Sequence, residues 1–356
     1  MRRRIYRAHE RYDSRRRDAR WPLVLVVCAL LCLCIGVGGS VFHVWDRVFP
    51  PQAIQASAKA ASVQSMSEAQ NHLRQSLRTE EPVVDDIVSR LLTLLDTQLQ
   101  ENTSAEGIVI MDEDGQLLFS QNIDMERTPA SMTKLLTAIV VLEAGALDDM
   151  VMVDDLYGCF EEGSVLMWLE EYEQIAMKDL LAALMVMSAN DAAAAVALHM
   201  AGSMEGFAAM MNEKAQEMGL THSNFVNPHG LTVEGHYSSP GDMVQILKRA
   251  AEYDILRELA TMDVYKFTSI DPYGDVKEYE LKSNNGFATG AYSVDSFTYI
   301  CGKTGYTKAA GQCLAAAFES EDTGKMYYCV VMKSEAHFDD MSQTVSYLGE
   351  RLESVG

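Results

Sequence analysis

The chain has 356 residues, of which 48% are hydrophobic, as expected of a globular protein with a substantial core. Its net charge of −22 is unevenly distributed, because residues 1–20 contain nine arginines and only three acidic residues. The rest of the chain is therefore strongly acidic and would repel phosphate backbones, so composition excludes dominant disorder and argues against a nucleic-acid partner.

The first predicted element is an apolar segment that follows the arginine-rich tail. Residues 21–44 contain no Asp, Glu, Lys or Arg and are long enough to cross a bilayer as one helix. Positive charge on its N-terminal side holds that end in the cytoplasm. We therefore expect a cytoplasmic tail at 1–20, a single-pass signal-anchor at 21–44 and an extracytoplasmic body. A cleaved signal peptide is the alternative, because small residues follow near Gly38, but the apolar stretch is longer than an ordinary h-region.

A stalk and the globular domain are predicted next. Residues 45–81 are rich in Ala, Gln and Ser and poor in aromatic residues, which is typical of a spacer. From Pro82 to Leu99, apolar residues recur at helical spacing. We therefore place the domain at residues 82–356, beginning with a helix.

Further along, the domain alternates between strand and helix patterns. A β-hairpin is predicted from Gly107–Met111 and Gln116–Ser120 around an Asp-Gly turn. The predicted helices are Ser131–Ala144, Met177–Met187, Glu205–Met218 and one that begins at Pro240. The late strands are Phe297–Cys301, Gln312–Glu319 and Met326–Lys333, before a helix at Asp339–Leu352. Strands at both ends with helices between them predict an α+β fold, in which helices flank an antiparallel sheet.

The first chemical motif is Ser131-Met132-Thr133-Lys134, at the start of a predicted helix. A Ser and a Lys at positions i and i+3 share a helical face, so the amine can reach the hydroxyl. The positive end of the helix favours an alkoxide and, with burial, lowers the lysine pKa toward that of a useful base. The alternative is an N-capping serine beside a solvated lysine.

Two further polar motifs interrupt the apolar pattern. Ser188-Ala189-Asn190 lies at a break between two predicted buried helices, and Lys303-Thr304-Gly305 ends the first late strand. Taken singly, they could be a capping pair and a turn. The order S-x-x-K, S-x-N, K-T-G is instead the motif set of penicillin-binding proteins and class A β-lactamases.

With these motifs, the sequence from Gly107 to Lys333 resembles the D-Ala-D-Ala carboxypeptidase family, the low-molecular-weight penicillin-binding proteins. The resemblance is carried by four stretches: Pro129–Ala138, Ser188–Ala193, Asn227–Leu231, and Lys303–Thr307 with Ala310-Gly311. It implies a penicillin-binding-protein/β-lactamase-like fold in the bacterial cytoplasmic membrane. It also implies peptidoglycan stem peptides ending in D-Ala-D-Ala as substrates, β-lactams as covalent inhibitors, and no cofactor or metal.

The resemblance also implies roles for individual residues. Ser131 would attack the carbonyl between the two D-alanines, with Lys134 as general base. Ser188 and Asn190 would line the cleft, the hydroxyl relaying a proton and the amide holding Lys134. Substrate binding would fall to four consecutive residues: Lys303 and Thr304 on the terminal carboxylate, Gly305 along the substrate backbone, and Tyr306, whose N–H forms an oxyanion hole with that of Ser131.

Some positions depart from the family pattern. Ala189 replaces the usual glycine, and Ile300-Cys301-Gly302 replaces an Asp-Gly pair followed by an aliphatic residue. Gly302 is expected to loosen its strand. No Arg lies between Tyr265 and Lys303 to support carboxylate binding. The family's common C-terminal β-rich domain is not expected, because the chain ends soon after its last predicted helix.

The sequence gives less support to other functional hypotheses. A nucleotide-binding P-loop would need Gly where the chain has Phe297, and His222, His229 and His236 lack the H-E-x-x-H pattern of a zinc peptidase. A β-lactamase is also disfavoured, because this chain has no Glu-x-x-Leu-Asn segment after Ser188 to supply a deacylating glutamate. A catalytically silent cell-wall sensor or scaffold remains open, as do endopeptidase and weak transpeptidase activities. The cysteines Cys159, Cys301, Cys313 and Cys329 are expected to be packing residues.

Overall fold

A computed structural model describes residues 88–161 and 164–355. The predicted tail, signal-anchor and stalk, at 1–20, 21–44 and 45–81, lie outside the described residues, as does the start of the predicted helix at Pro82. A helix, α1, covers residues 88–102. Among the described residues, no helix combines the length and apolar character needed to span a bilayer.

The main sheet has five antiparallel strands in the order β2-β1-β9-β8-β7. The strands are β1 Gly107–Asp112, β2 Leu117–Gln121, β7 Phe297–Thr307, β8 Gly311–Ser320 and β9 Met326–Ser334. Strand β1 pairs with both β2 and β9, so the first and last parts of the domain meet as the sequence predicts. β7 lies at the edge of the sheet.

Both faces of this sheet are covered. Because side chains of a strand alternate between faces, Val109 and Met111 of β1 join one apolar cluster while Ile108 and Ile110 join another. The second cluster includes residues of α8, His337–Val355, whereas the first contains most of the other helices. Double coverage explains why these strands are continuous apolar runs.

The remaining helices follow the predicted order, except that the last of them, Asp254–Thr261, was not predicted. They are α2 Lys134–Glu143, α3 Met177–Ala182, α4 Asn190–Ala201, α5 Met204–Glu217, α6 Pro240–Ala250 and α7 Asp254–Thr261. Ser203 caps α5, since its Oγ accepts the N–H of Gly206 at 2.9 Å. Ser239 Oγ likewise accepts the N–H of Asp242 at 3.1 Å and caps α6.

A second sheet was not predicted. Its strands, in the order β3-β4-β5-β6, are Met150–Met152, Gln174–Ala176, Val264–Ile270 and Val276–Lys282. The first two have three residues each, too few to show a period, and the β5–β6 hairpin is mostly exposed. Tertiary contacts such as the stacking of Phe267 on Tyr279, with ring centroids 4.9 Å apart, stabilise that hairpin.

The structure corrects four details of the sequence analysis. The predicted helix Ser131–Ala144 is a 3₁₀ turn at Ala130–Thr133 followed by α2. The predicted helix Met177–Met187 is α3 followed by a π-helical turn, Ala183–Met187.

The other two corrections concern β7. The Lys303-Thr304-Gly305 motif does not end this strand, which continues to Thr307. Gly302 does not loosen it either: a Cβ there would lie 2.4 Å from the carbonyl oxygen of Ala315, so the glycine permits close approach to β8.

Three of the four cysteines in the domain are buried, as expected of packing residues, while Cys159 is partly exposed; all four are free thiols.

Candidate active site

The nucleophile predicted from the sequence lies in a short, tightly enclosed turn. Ser131 belongs to the 3₁₀ turn Ala130–Thr133, which leads directly into α2. Two glycines allow other segments to approach this turn. A Cβ on Gly230 would lie 1.9 Å from the Ala130 carbonyl oxygen, and one on Gly305 would lie 3.2 Å from the Met132 nitrogen. The turn is therefore held between the loop around Gly230 and strand β7.

Lys134, the first residue of α2, is fully buried beneath this turn. Its Nζ lies 3.0 Å from Ser131 Oγ, 2.7 Å from Asn190 Oδ1 and 2.8 Å from the carbonyl oxygen of His229. Burial, and then the nearby charge of Lys303, hold the Lys134 pKa well below its usual value.

The geometry suits a neutral amine, which has two N–H donors and one lone pair. The amide oxygen of Asn190 and the carbonyl of His229 accept the two N–H groups. The lone pair is then free to accept the hydroxyl proton of Ser131 at 3.0 Å. Lys134 is thus positioned to act as the base that removes the hydroxyl proton of Ser131.

The second motif lies where α3 gives way to α4. The π-helical turn ends at Ser188, whose φ of +68° is left-handed and which reverses the chain before Asn190 opens α4. Such π turns are frequent at functional sites. Ser188 is buried, and among the described residues its Oγ has no hydrogen-bond partner. It can therefore both accept and donate a proton without first breaking a contact.

Asp191 is a functional residue that motif reasoning missed. Its buried carboxylate accepts the N–H groups of Met167, Trp168 and Leu169 at 3.1, 2.8 and 3.2 Å. The N–H of Asn190 also donates to the Val165 carbonyl at 2.8 Å. These bonds fasten the Val165–Leu169 loop to the start of α4. The carboxylate pKa is raised by burial, although the backbone donors oppose that shift.

His229 is the second missed contributor, because it acts on Lys134 through a backbone oxygen that no side-chain pattern reveals. Its ring is buried and its pKa is lowered to about 3 by burial and the charge of Lys134. Nε2 lies 2.9 Å from the Cys159 carbonyl and Nδ1 lies 3.2 Å from the N–H of Leu231. The neutral tautomer with Nε2 as donor satisfies both contacts. The stretch Asn227–Leu231 was part of the family resemblance, but its sequence did not indicate a role for any of its residues.

Lys303 is a buried cation without a carboxylate partner among the described residues. Its Nζ donates hydrogen bonds to the carbonyl oxygen of Thr304, at 3.1 Å, and to the hydroxyl of the same residue, at 3.4 Å. Burial lowers its pKa to about 7. A buried charge with unused donors favours an anionic ligand, which would restore the lost solvation.

The other predicted binding residues continue along β7. The hydroxyl of Thr304 donates to Asn284 Oδ1 at 3.0 Å, which orients it. Gly305 abuts the nucleophile turn, and the side chain of Tyr306 is exposed. The structure therefore joins Ser131, Lys134 and Asn190 by direct contacts and places the Lys303–Tyr306 strand against their turn.

The chain is similar in sequence to known proteins. The family model for D-alanyl-D-alanine carboxypeptidase matches residues 95–336. The D-alanyl-D-alanine carboxypeptidase DacF of Bacillus subtilis is 34% identical over 218 residues, which are 60% of this chain and 54% of that protein. The D-alanyl-D-alanine endopeptidase of Escherichia coli is 27% identical over 270 residues, covering 75% of this chain and 84% of that protein. The chain spans about half the length of the curated carboxypeptidases it matches.

The fold is also found among solved structures. The Streptomyces K15 DD-transpeptidase superposes with a TM-score of 0.63 and 25% identity, over 70% of this chain and 97% of that one. A D-alanyl-D-alanine carboxypeptidase from Mycobacterium tuberculosis gives a TM-score of 0.61 at 24% identity, over 70% of this chain and 92% of that one, which supports the fold alone.

Proposed function

Since the chain belongs to the D-alanyl-D-alanine carboxypeptidase family, we propose that it is a serine carboxypeptidase that removes the terminal D-alanine from peptidoglycan stem pentapeptides. The observation that carries the proposal is the buried Lys134, whose two acceptors leave its lone pair facing Ser131 Oγ. β-Lactams would acylate the same serine.

In the acylation step, Ser131 Oγ bonds to the carbonyl carbon of the penultimate D-alanine while its proton passes to Lys134. The N–H groups of Ser131 and Tyr306 would stabilise the oxyanion. The C–N bond then breaks, and the proton moves from Lys134 through the Ser188 hydroxyl to the leaving amine. Free D-alanine departs, and an ester remains on Ser131.

In the deacylation step, water attacks the ester carbonyl and gives a proton to Lys134. The bond to Ser131 Oγ breaks, and the oxygen recovers its proton from Lys134. The products are the shortened stem peptide and the free enzyme, so the cycle needs no cofactor. Lys303 and the Thr304 hydroxyl would bind the carboxylate of the terminal D-alanine, which provides the anion that this buried cation lacks.

Endopeptidase activity is a second candidate, because the Escherichia coli endopeptidase covers more of this chain than the carboxypeptidases do. Both reactions pass through the same acyl-enzyme. A cross-linked dimeric stem peptide distinguishes them, since only an endopeptidase would separate its two halves.

The test of the proposal is covalent labelling. We expect a penicillin adduct on the wild-type protein, measured by intact mass and mapped to Ser131, and free D-alanine from a synthetic pentapeptide. Ser131→Ala and Lys134→Ala should abolish the adduct, because an unactivated hydroxyl is a weak nucleophile at neutral pH. Ser293→Ala, which changes an exposed serine elsewhere in the domain, is the control.

A folded Ser131→Ala protein that still forms the adduct, or an adduct on Ser188, would overturn the assignment. A wild-type protein without any adduct would instead support a silent sensor or scaffold.

We also propose that the domain is extracytoplasmic and anchored by residues 21–44, with residues 45–81 as a stalk. The support is the uncharged sequence of the segment and the nine arginines that precede it.

A further inference from the structure

His236 is a buried histidine that has no role in the chemistry described above. Its Nε2 lies 3.0 Å from the hydroxyl of Thr133, the last residue of the nucleophile turn Ala130–Thr133. Its Nδ1 lies 3.1 Å from the backbone nitrogen of Val226. The ring therefore joins the turn that carries the nucleophile to the neighbouring loop of residues 224–237.

The position of the proton on this ring follows from its contacts. Burial lowers the pKa of His236 to about 4, so near neutral pH the imidazole is uncharged and has one donor and one acceptor. The N–H of Val226 can only donate, so Nδ1 is the acceptor. Nε2 therefore carries the proton and donates it to Thr133 Oγ1. The contact is a directed hydrogen bond in which the threonine hydroxyl accepts.

The loop on the other side of this hydrogen bond is closed by its own contacts. Asn224 and Tyr237 exchange two backbone hydrogen bonds, both of 2.9 Å, which bring its two ends together. Phe225 packs edge-on against the His236 ring, with ring centroids 5.7 Å apart. Between the two ends lies Asn227–Leu231, which contacts α2 through its carbonyl oxygens. The loop therefore gives the His236 ring a fixed position from which to hold the turn.

The nucleophile turn requires support because its backbone is strained. Ala130, directly before the nucleophile, has a left-handed φ of +49°, which is unfavourable for a residue with a Cβ. Strained backbone persists only where the surrounding structure holds it in place. Gly230 and Gly305 enclose the turn by close packing. The hydrogen bond from His236 adds a directed contact at Thr133, which lies between the nucleophile and the base in the chain.

We propose that His236 is a positioning residue for acylation: through Thr133 it holds the nucleophile turn in the conformation that keeps Ser131 Oγ 3.0 Å from Lys134 Nζ. It acts through the turn rather than on the reacting atoms. A displacement of about 1 Å between reacting groups can cost roughly a hundredfold in rate. The inference rests on the proposed function, because it takes the roles of Ser131 and Lys134 from it.

The test removes each side of the hydrogen bond in the full-length protein in detergent. Thr133→Val is nearly isosteric but lacks the hydroxyl, and His236→Phe keeps a ring without nitrogen atoms. Acylation by a fluorescent penicillin is followed at increasing concentrations, which separates the limiting rate constant from the concentration for half-saturation. We expect each variant to lose about tenfold or more in the rate constant, with half-saturation changed less than about twofold, because the bond acts on the reacting geometry and not on binding.

Conservative variants should recover the rate. Thr133→Ser keeps the acceptor and should acylate within about threefold of the wild-type rate. The amide nitrogen of a glutamine can take the place of Nε2, whereas that of an asparagine reaches only as far as Nδ1. His236→Gln should therefore acylate faster than His236→Asn, and this comparison decides the question even if His236→Phe does not fold.

A double variant shows whether the two residues act together. If they act through one hydrogen bond, Thr133→Val/His236→Phe should be about as slow as the slower single variant. The matched control is Thr344→Val, which changes another buried threonine, whose hydroxyl donates to the Asp340 carbonyl at 2.7 Å within α8. This control should lower the Tm and keep the wild-type acylation rate, which separates positioning from a loss of stability.

The outcomes separate this inference from the proposed function. Wild-type acylation rates in folded Thr133→Val and His236→Phe, losses that multiply in the double variant, or a His236→Asn protein as fast as His236→Gln would each refute the positioning role. Labelling of Ser131 would still support the carboxypeptidase in those cases. If penicillin does not label the wild-type protein at all, the proposed function fails and the positioning role fails with it.

Discussion

At the scale of single residues, the site depends on two buried lysines whose pKa values are both lowered. Lys134 is affected by burial and by the charge of Lys303, whereas Lys303 is affected by burial alone. Two neighbouring cations in a dry site disfavour each other, so the arrangement in which one is neutral and the other charged is the stable one. The hydrogen bonds described above identify Lys134 as the neutral base, and Lys303 keeps the charge for the substrate.

The first residue-scale prediction concerns pH. Activity should rise with pH as Lys134 loses its proton and should fall again once Lys303, with a pKa of about 7, loses its own. Only the fall depends on the substrate carboxylate. We therefore expect kcat/KM for a peptide acid to decline above neutral pH, while that for the peptide amide, slower overall, lacks the decline. Parallel profiles for acid and amide would contradict carboxylate recognition by Lys303.

The second prediction concerns the stability cost of Lys303. Its folded-state pKa is lowered, so the folded protein binds fewer protons there than the unfolded chain does. The penalty is therefore complete below about pH 7 and disappears as pH rises toward the unfolded value near 10.4. Lys303→Met keeps the apolar stem and should raise the free energy of unfolding at pH 6 by roughly 1–3 kcal/mol.

Urea denaturation at pH 6 and pH 9 measures this effect, and the gain should be smaller at pH 9. The same variant should lose at least about tenfold in kcat/KM on the peptide acid. Lys266→Met, at an exposed lysine, is the control and should change neither quantity much. A destabilised Lys303→Met protein would show that Lys303 has a partner in the folded state after all.

At the scale of elements, the site forms because chain segments approach each other more closely at glycines than a residue with a Cβ would allow. Gly230 lies in the Asn227–Leu231 loop with a φ of +86°, against the Ala130 carbonyl. The same loop contributes the His229 carbonyl to Lys134 and the Pro228 carbonyl to the Thr137 hydroxyl, at 2.8 and 2.6 Å. It therefore fixes both the nucleophile turn and the base.

The element-scale prediction separates this close approach from backbone strain. Gly230→Ala adds a Cβ that would lie 1.9 Å from the Ala130 oxygen, whereas Gly219→Ala has a similar φ of +74° and meets nothing within 4 Å. We expect Gly219→Ala to cost about 1 kcal/mol of stability and to retain penicillin acylation. Gly230→Ala should cost more than about 3 kcal/mol and acylate slowly. Thermal unfolding and labelling rates measure both, and similar behaviour of the two variants would contradict the clamping role of the loop.

The elements also show which features the sequence could predict. The five-stranded sheet was predictable, because its strands are apolar runs bounded by turns, and so was the Ser131–Lys134 contact, because it depends on local helical spacing. The π turn before Ser188 was not, since it differs from an α-helix by one hydrogen-bond register. Asp191 and the His229 carbonyl were missed because their partners are distant in sequence.

At the scale of the whole molecule, the free edge of β7 determines where a peptide can bind. Lys303, Gly305 and Tyr306 follow one another along this edge. A single extended peptide can therefore contact the carboxylate site and the nucleophile together, and its backbone can add to the sheet. Under the proposed function the substrate is attached to the cell wall, so the domain would have to face the wall to reach it.

The last prediction tests that location. Residues 1–20 are strongly basic and residues 21–44 are uncharged, so the positive-inside rule predicts that the domain lies outside the cytoplasm. Protease added to intact spheroplasts should remove the domain while a cytoplasmic marker protein survives, and the untreated protein should remain with membranes after a high-salt wash. Replacing the nine arginines of residues 1–20 with glutamine should weaken this orientation and leave part of the population protected. A mature protein that begins near Ser40 and is free of the membrane would show a cleaved signal peptide instead. Full protection of the wild-type domain in spheroplasts would place it in the cytoplasm, where no cell-wall substrate could reach Ser131.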